Sequence, residues 1–212
     1  MTVTMNRFAL TLAAASFALF ASPALAASPV ATAIVAPAKA EDLVRVALDT
    51  SAGRIVLALD RGRAPITTAN FLHYVDAGRY NGIGFYRAMK SGTGGLIQAG
   101  IRDDARKLFA PIAHEPTSQT GIKNVAGTIA FANAGPGTAR SDFFIMVSDF
   151  PSLDTTATNP GFAAFGHVVE GMEVVKAILT APVSATLGAG ARKGQMLEPA
   201  VKIVKAARVD PK

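Results

Sequence analysis

Apolar residues alternate with other residues along two short runs, 43–48 and 54–59. Alternation of this length predicts β-strands with one buried face. The five residues between them, Asp-Thr-Ser-Ala-Gly at 49–53, supply turn chemistry, so the pair predicts an opening β-hairpin. Six further strand-like runs follow the hairpin, at 83–89, 96–101, 128–132, 143–147, 163–169 and 201–209.

Two segments carry a helical rather than a strand pattern. Residues 65–78 begin with Pro65 and end with Gly78, which suit the first turn and the C-terminal cap of a helix. Apolar residues recur between them at roughly helical spacing, and a second helical run covers 172–179. Eight short strands and two helices predict a mainly β fold, a closed eight-stranded antiparallel β-barrel with the helices over its ends.

The first 26 residues have the three parts of a secretory signal peptide. Arg7 is followed by an apolar run at 8–20 and by small residues with an A-x-A site at 24–26. The apolar run is short for a membrane span, which needs about 20 residues, so an anchor is the less favoured alternative. We expect cleavage after Ala26, a disordered Ala- and Pro-rich linker at 27–42, and a folded domain at 43–212 in the periplasm, free of the membrane.

Composition removes several classes of function. The net charge of +6 is a mild excess without a basic run, so we expect no nucleic-acid partner. The absence of cysteine excludes disulfides and thiol chemistry. The three histidines, His73, His114 and His167, lack metal-ligand spacing, so we expect neither a metal nor another cofactor. Nothing in the sequence signals an oligomer, and we expect a monomer.

Polar residues interrupt three of the apolar runs: Arg87, Gln98 and Asn133. A buried polar group needs a hydrogen-bonding partner. Together on one face of a sheet, these side chains would form a small, fixed site of peptide size. Each residue alone is a weak signal, since an arginine in a strand is usually a rim charge and a lone glutamine is usually on the surface.

The order of the motifs resembles the cyclophilin family of peptidyl-prolyl cis–trans isomerases over about residues 43–209. Phe85-Tyr86-Arg87 is similar to the family's F-H-R, and 97–100 to its I-Q-G-G. Segments 127–135 and 141–145 are similar to G-T-L-S-M-A-N-A-G and S-Q-F-F-I, and 165–175 to F-G-x-V-x-x-G-M-x-V-V.

The resemblance implies an isomerase that acts on proline-containing segments of exported proteins and assists their folding. It implies Arg87 as the catalytic cation, Gln98 as a residue that binds substrate and positions Arg87, and Phe144 as a wall of the proline pocket. It also implies that Ala132 and Asn133 offer backbone groups to the residues before the proline. The full substrate-binding set comprises Phe85, Leu96, Ala132, Asn133, Asp142, Leu153 and Phe162.

Several positions depart from the family pattern: Tyr86 replaces His, Gly95 an aromatic residue, Asp142 a Gln, Ser152 a frequent Trp and Phe162 a frequent His. Loss of a pocket aromatic removes about 1–3 kcal/mol of binding, part of which Phe162 restores. We expect Asp142 to pair with Arg87 or with another base. The altered pocket keeps open an alternative function, a low-activity chaperone or proline-peptide binding module. The polar set argues against a lipid carrier.

Overall fold

The structure is a computed structural model that describes residues 42–210. The predicted signal peptide and all of the predicted linker except Asp42 lie outside these residues. The carboxylate of Asp42 accepts two hydrogen bonds from Arg61, at 2.8 and 3.2 Å. No helix between residues 42 and 210 is long and apolar enough to cross a membrane.

The described residues form eight strands and three α-helices. The strands are β1 (Leu43–Thr50), β2 (Gly53–Asp60), β3 (Gly84–Ser91), β4 (Gly94–Ala99), β5 (Thr128–Phe131), β6 (Phe143–Met146), β7 (Ala164–Glu170) and β8 (Met196–Arg208). The helices are α1 (Pro65–Asp76), α2 (Thr117–Thr120) and α3 (Met172–Thr180).

The strands close into an antiparallel barrel in the order β1-β2-β7-β5-β6-β4-β3-β8, and β8 pairs back onto β1. Closure leaves no sheet edge with unpaired backbone groups. The predicted fold class is confirmed. Three details differ from the prediction: the single-turn α2 carries no periodic pattern that could predict it, β4 lies two residues before the predicted run 96–101, and β8 begins at Met196, five residues before the predicted run.

An aromatic cluster fills the barrel interior. Phe71 of α1 contacts four aromatic rings at centroid distances of 5.0–6.2 Å, and all five side chains are fully buried. The four partners are Tyr80, Phe131, Phe143 and Phe165. Pro65 stands in the first turn of α1 as predicted, and Gly78, with φ +63°, follows the C-cap Ala77.

The N-terminus of α1 is capped from a distant loop. Its N-cap residue, Ala64, has no side chain able to accept a hydrogen bond. The buried carboxylate of Glu115 instead accepts the backbone N–H groups of Ile66 and Thr67, at 3.2 and 2.7 Å. A carboxylate there satisfies free helix donors and complements the positive end of the helix dipole. Glu115 therefore joins the loop before α2 to the helix that contributes Phe71 to the barrel interior.

We predict that Glu115→Ala lowers the free energy of unfolding by about 1–3 kcal/mol, because the buried N–H of Thr67 and the part-buried N–H of Ile66 lose their acceptor. Glu115→Gln, which keeps one acceptor oxygen, should lose less. Denaturant unfolding followed by circular dichroism measures both. The exposed Glu170 provides the control, and Glu170→Ala should stay within about 0.5 kcal/mol of the wild type. Equal stabilities for Glu115→Ala and Glu170→Ala would contradict the capping role.

Candidate active site

A β-bulge at Tyr86 determines the face on which Arg87 lies. Phe85 pairs with Ala99 of β4 and Arg87 pairs with Gln98, so a two-residue step on β3 matches a one-residue step on β4. Residues two apart in a regular strand share a face, and Phe85 is fully buried inside the barrel. The bulge therefore turns Arg87 away from the core and onto the outer face beside Gln98.

A row of cross-strand partners continues from Arg87 over the outer face. Gln98 of β4 pairs with Phe144 of β6. Phe143, its neighbour, is fully buried in the interior, as the alternation predicts. The four strands β3, β4, β6 and β5 contribute Arg87, Gln98, Phe144 and Ala130 to this row. The predicted catalytic residues Arg87, Gln98 and Phe144 thus lie on neighbouring strands.

Two amide oxygens hold the Arg87 guanidinium. Nε donates to Oε1 of Gln195 at 2.8 Å, and Nη1 donates to Oε1 of Gln98 at 3.0 Å. Gln195 is itself held, because its Nε2 donates to the carbonyl oxygen of Ala191 at 2.7 Å. Sequence reasoning identified Gln98 but missed Gln195, which is 108 residues from Arg87 in a loop without a motif. Both partners are neutral, so they orient the cation without cancelling its charge.

Arg87 is half-buried, and burial lowers the pKa of its guanidinium, with a further decrease from the positive charge of Arg192. The ordinary pKa of an arginine is so high that the guanidinium stays protonated in this setting. Among the hydrogen bonds within residues 42–210, none uses the Nη2 group of Arg87. The site therefore presents a partly desolvated cation with donors left for a substrate.

Asp142 bonds to Tyr86 rather than to Arg87. The Tyr86 hydroxyl donates to Oδ1 of Asp142 at 2.6 Å, and the Ser141 hydroxyl donates to Oδ2 at 3.2 Å. Burial raises the pKa of the Asp142 carboxyl, and it also raises the pKa of Tyr86 well above its ordinary value. Tyr86 and Asp142, both departures from the family pattern, thus form one hydrogen-bonded pair. The expected pairing of Asp142 with Arg87 or with another base is therefore wrong, because its side-chain partners within residues 42–210 are the hydroxyls of Tyr86 and Ser141.

Apolar side chains follow Gln98 on the outer face, beginning with Phe144, and we call them the apolar wall. The rings of Phe144 and Phe162 meet edge to face at a centroid distance of 5.4 Å. The backbone N–H of Phe162 donates to the carbonyl oxygen of Leu153 at 2.9 Å, which joins the backbones of these two residues. Leu96 lies on the same outer face of β4 as Gln98, two residues before it. The structure therefore places four predicted pocket residues on the Gln98 side of the sheet.

Gly95 does not leave a hole in this wall. It has φ +145°, and a Cβ there would collide with the carbonyl oxygen of Met89 and approach Leu179 of α3. A side chain at this position would therefore point towards α3 and away from the outer face of Gln98. Ser152, where the family often has Trp, is exposed. Phe162 is thus the aromatic residue that packs on Phe144.

The prediction that Phe85 contacts substrate has to be corrected. It was expected among the residues that contact substrate, but it has no exposed surface, and its ring packs on Phe143 at a centroid distance of 5.9 Å inside the barrel. A substrate on the outer face does not reach it. Phe85 supports the site from the interior through the strand that carries Arg87.

The segment after β5 offers one free backbone pair. The N–H of Ala132 is already used, because it donates to the carbonyl oxygen of Asp142 at 2.8 Å. No hydrogen bond described within residues 42–210 uses the backbone N–H or C=O of Asn133, and its side-chain Oδ1 accepts the N–H of Gly135. The backbone of Asn133 is therefore available to an extended peptide, while Ala132 offers no free N–H.

A groove of about 660 Å³ continues from this backbone, and we call it the distal groove. It borders the site through Gln98, Ala132, Asn133 and Asp142. Its remaining lining is Tyr86, Arg102, Leu108, Ala134, Thr138, Arg140, Ser141, Leu187, Gly188, Ala189, Arg192 and Met196. Within residues 42–210, no three His, Asp or Glu side chains are grouped as metal ligands.

Comparison with known proteins agrees with this geometry. The family model described as cyclophilin type peptidyl-prolyl cis-trans isomerase/CLD matches residues 44–208. The chain is 41% identical over 137 residues to peptidyl-prolyl cis-trans isomerase A of Dickeya dadantii, covering 63% of this chain and 70% of that protein. It is 42% identical over 140 residues to a peptidyl-prolyl cis-trans isomerase of Streptomyces antibioticus, covering 63% and 81%.

A solved structure shows the same fold. It is a cyclophilin type peptidyl-prolyl cis-trans isomerase of Cryptosporidium parvum, crystallised in the presence of the dipeptide Ala-Pro. The TM-score is 0.64 at 22% sequence identity, and the match covers 79% of this chain and 99% of that one. At 22% identity, this similarity is evidence for a shared barrel fold alone.

Proposed function

The chain belongs to the cyclophilin-type family of peptidyl-prolyl cis–trans isomerases, and we propose that it accelerates X–Pro rotation by using Arg87 to stabilise the twisted amide. The observation that carries this proposal is the guanidinium of Arg87, held on the outer face of the barrel by the oxygens of Gln98 and Gln195. In the cross-strand row Gln98 separates Arg87 from Phe144, and the rings of Phe144 and Phe162 form an apolar wall that suits a proline ring.

The reaction needs a group that binds the twisted amide more tightly than either planar form. The X–Pro bond resists rotation with a barrier of about 18–20 kcal/mol, because the C–N bond is partly double. Rotation removes this conjugation and returns a lone pair to the prolyl nitrogen. A cationic N–H donor aimed at that nitrogen gains strength only as the bond twists, so it lowers the barrier without tightening ground-state binding equally.

The side chains around Arg87 divide the remaining tasks. Phe144, Phe162 and Leu153 supply the apolar surface on which the proline ring is held. The free backbone pair of Asn133 binds the residues before the proline, as a strand would. The two ends of the rotating bond are then held separately, one by the wall and one by the backbone. No bond is made or broken, so the site needs no cofactor.

We further propose that the enzyme acts after export, on proline-containing segments of proteins that fold in the periplasm. The support is the signal-like sequence of residues 1–26.

We predict that Arg87→Ala lowers kcat/KM for a proline peptide by about two to three orders of magnitude, the usual loss when one transition-state donor is removed. Arg87→Lys keeps the charge but loses the planar set of guanidinium donors, so its kcat/KM should lie between those of Arg87→Ala and the wild type. Isomerisation is measured by NMR exchange spectroscopy, with circular dichroism to confirm folding. Arg54→Ala on β2, an exposed arginine, should be unchanged. Normal turnover in Arg87→Ala would overturn the mechanism.

A separate prediction concerns export. The full chain, expressed in a Gram-negative host, should appear in the periplasmic fraction with Ala27 as its first residue, as read by intact-mass measurement. The double substitution Leu10→Arg and Leu12→Arg breaks the apolar run and should leave the uncleaved chain in the cytoplasm. Full-length wild-type chain in the cytoplasmic fraction would contradict the proposal without affecting the isomerase mechanism.

A further inference from the structure

Three arginines line the distal groove from different parts of the chain. Arg102 follows β4, Arg140 precedes β6, and Arg192 belongs to the loop before β8. All three are exposed, and none takes part in a salt bridge within the described part of the chain. The fold thus brings three unpaired positive charges to one depression.

Asp142 is the single acidic residue in the lining, so it offsets at most one of the three positive charges. Both of its oxygens already accept hydrogen bonds, one from Tyr86 and one from Ser141. The guanidinium of Arg102 stacks on the Tyr86 ring at 4.5 Å instead of forming an ion pair with the carboxylate. The groove therefore keeps an excess of positive charge towards solvent.

The distal groove is continuous with the proposed catalytic site. Gln98 binds Arg87 and also borders the groove, and Asn133 carries the free backbone pair at the junction. A peptide that pairs with Asn133 just before its proline passes into the groove with its preceding residues. Leu108, Leu187 and Met196 also line the groove, and they suit the aliphatic part of a glutamate side chain.

We propose that the distal groove binds an acidic side chain of the substrate, two or three residues before the proline, so that the enzyme prefers acidic proline segments. This inference rests on the proposed function, because that function places the residues before the proline at Asn133. Exposed ion pairs contribute modestly each, and three arginines around one carboxylate add their attractions.

The test compares peptides that differ in one residue. Peptides with Glu, Gln or Lys at the second or third position before the proline are assayed by NMR exchange spectroscopy, which avoids the charge preference of a coupling protease. We expect kcat/KM for the better Glu position to exceed that for Lys by about threefold to tenfold at low salt, with Gln between them. The ratio should approach one at 1 M salt, where the Debye length is about 3 Å.

Variants assign the preference to the groove. Arg140→Gln should reduce the Glu-to-Lys ratio while the rate with the Gln peptide stays within about twofold. Arg192→Gln should also reduce the ratio. Asp142→Asn should raise the ratio, because it removes the one negative charge of the lining. Lys176→Gln on α3 removes an equal positive charge from an exposed position outside the groove and should leave the ratio unchanged.

A Glu-to-Lys ratio near one at low salt overturns the inference, as does an equal decrease in Lys176→Gln, which would indicate net charge instead of the groove. Failure of the proposed function gives a different result, the absence of rate enhancement with the neutral Gln peptide. In that event the affinities of the same three peptides, from NMR titration, decide the charge preference separately.

Discussion

The site depends on one irregularity, the β-bulge at Tyr86 in β3. A regular strand would place Phe85 and Arg87 on the same face, so either the cation would enter the aromatic core or the ring would face solvent. The extra residue lets Phe85 pack inside while Arg87 lies outside beside Gln98. Bulges commonly redirect a side chain in this way. The bulge thus places Phe85, which supports the fold, and Arg87, which is proposed to act in catalysis, on opposite faces of β3.

Half-burial of Arg87 then creates a requirement that the neighbouring elements meet. A partly desolvated guanidinium needs acceptors, and a carboxylate acceptor would also offset the charge that the mechanism uses. The structure supplies the neutral oxygens of Gln98 and Gln195. The carboxylate of Asp142 is meanwhile engaged by Tyr86. The altered residues of this chain therefore keep the negative charge in a separate hydrogen-bonded pair.

Residues that belong to strands with a clear pattern could be predicted from the sequence. The alternating runs gave the barrel, and the motif order gave Arg87, Gln98 and Phe144 on neighbouring strands. Phe85 was placed in the substrate-binding set although it is fully buried inside the barrel. A bulge is a property of the pairing between two strands, so the sequence of one strand does not reveal it. Gly95 was read as a vacancy because its left-handed backbone and its close approach to Met89 are visible only in three dimensions.

The residues that sequence reasoning missed come from loops. Gln195 and Arg192 lie before β8 in a stretch without periodicity, and Arg102 and Arg140 are isolated charges that look like ordinary surface residues. Only closure of the barrel brings them to Arg87 and to the distal groove. Long-range placement of this kind depends on the complete set of strand pairings, so it cannot be read from a local pattern.

The most direct test of the central claim is a double-mutant cycle on the two glutamines that hold Arg87. Gln98→Met and Gln195→Met keep side-chain volume but remove the acceptor oxygen. We predict that Gln195→Met lowers kcat by about tenfold with little change in KM. The decrease in kcat of the double variant should be smaller than the product of the two single decreases, because both oxygens restrain one guanidinium. An unchanged kcat in Gln195→Met, with the fold intact, would contradict the account.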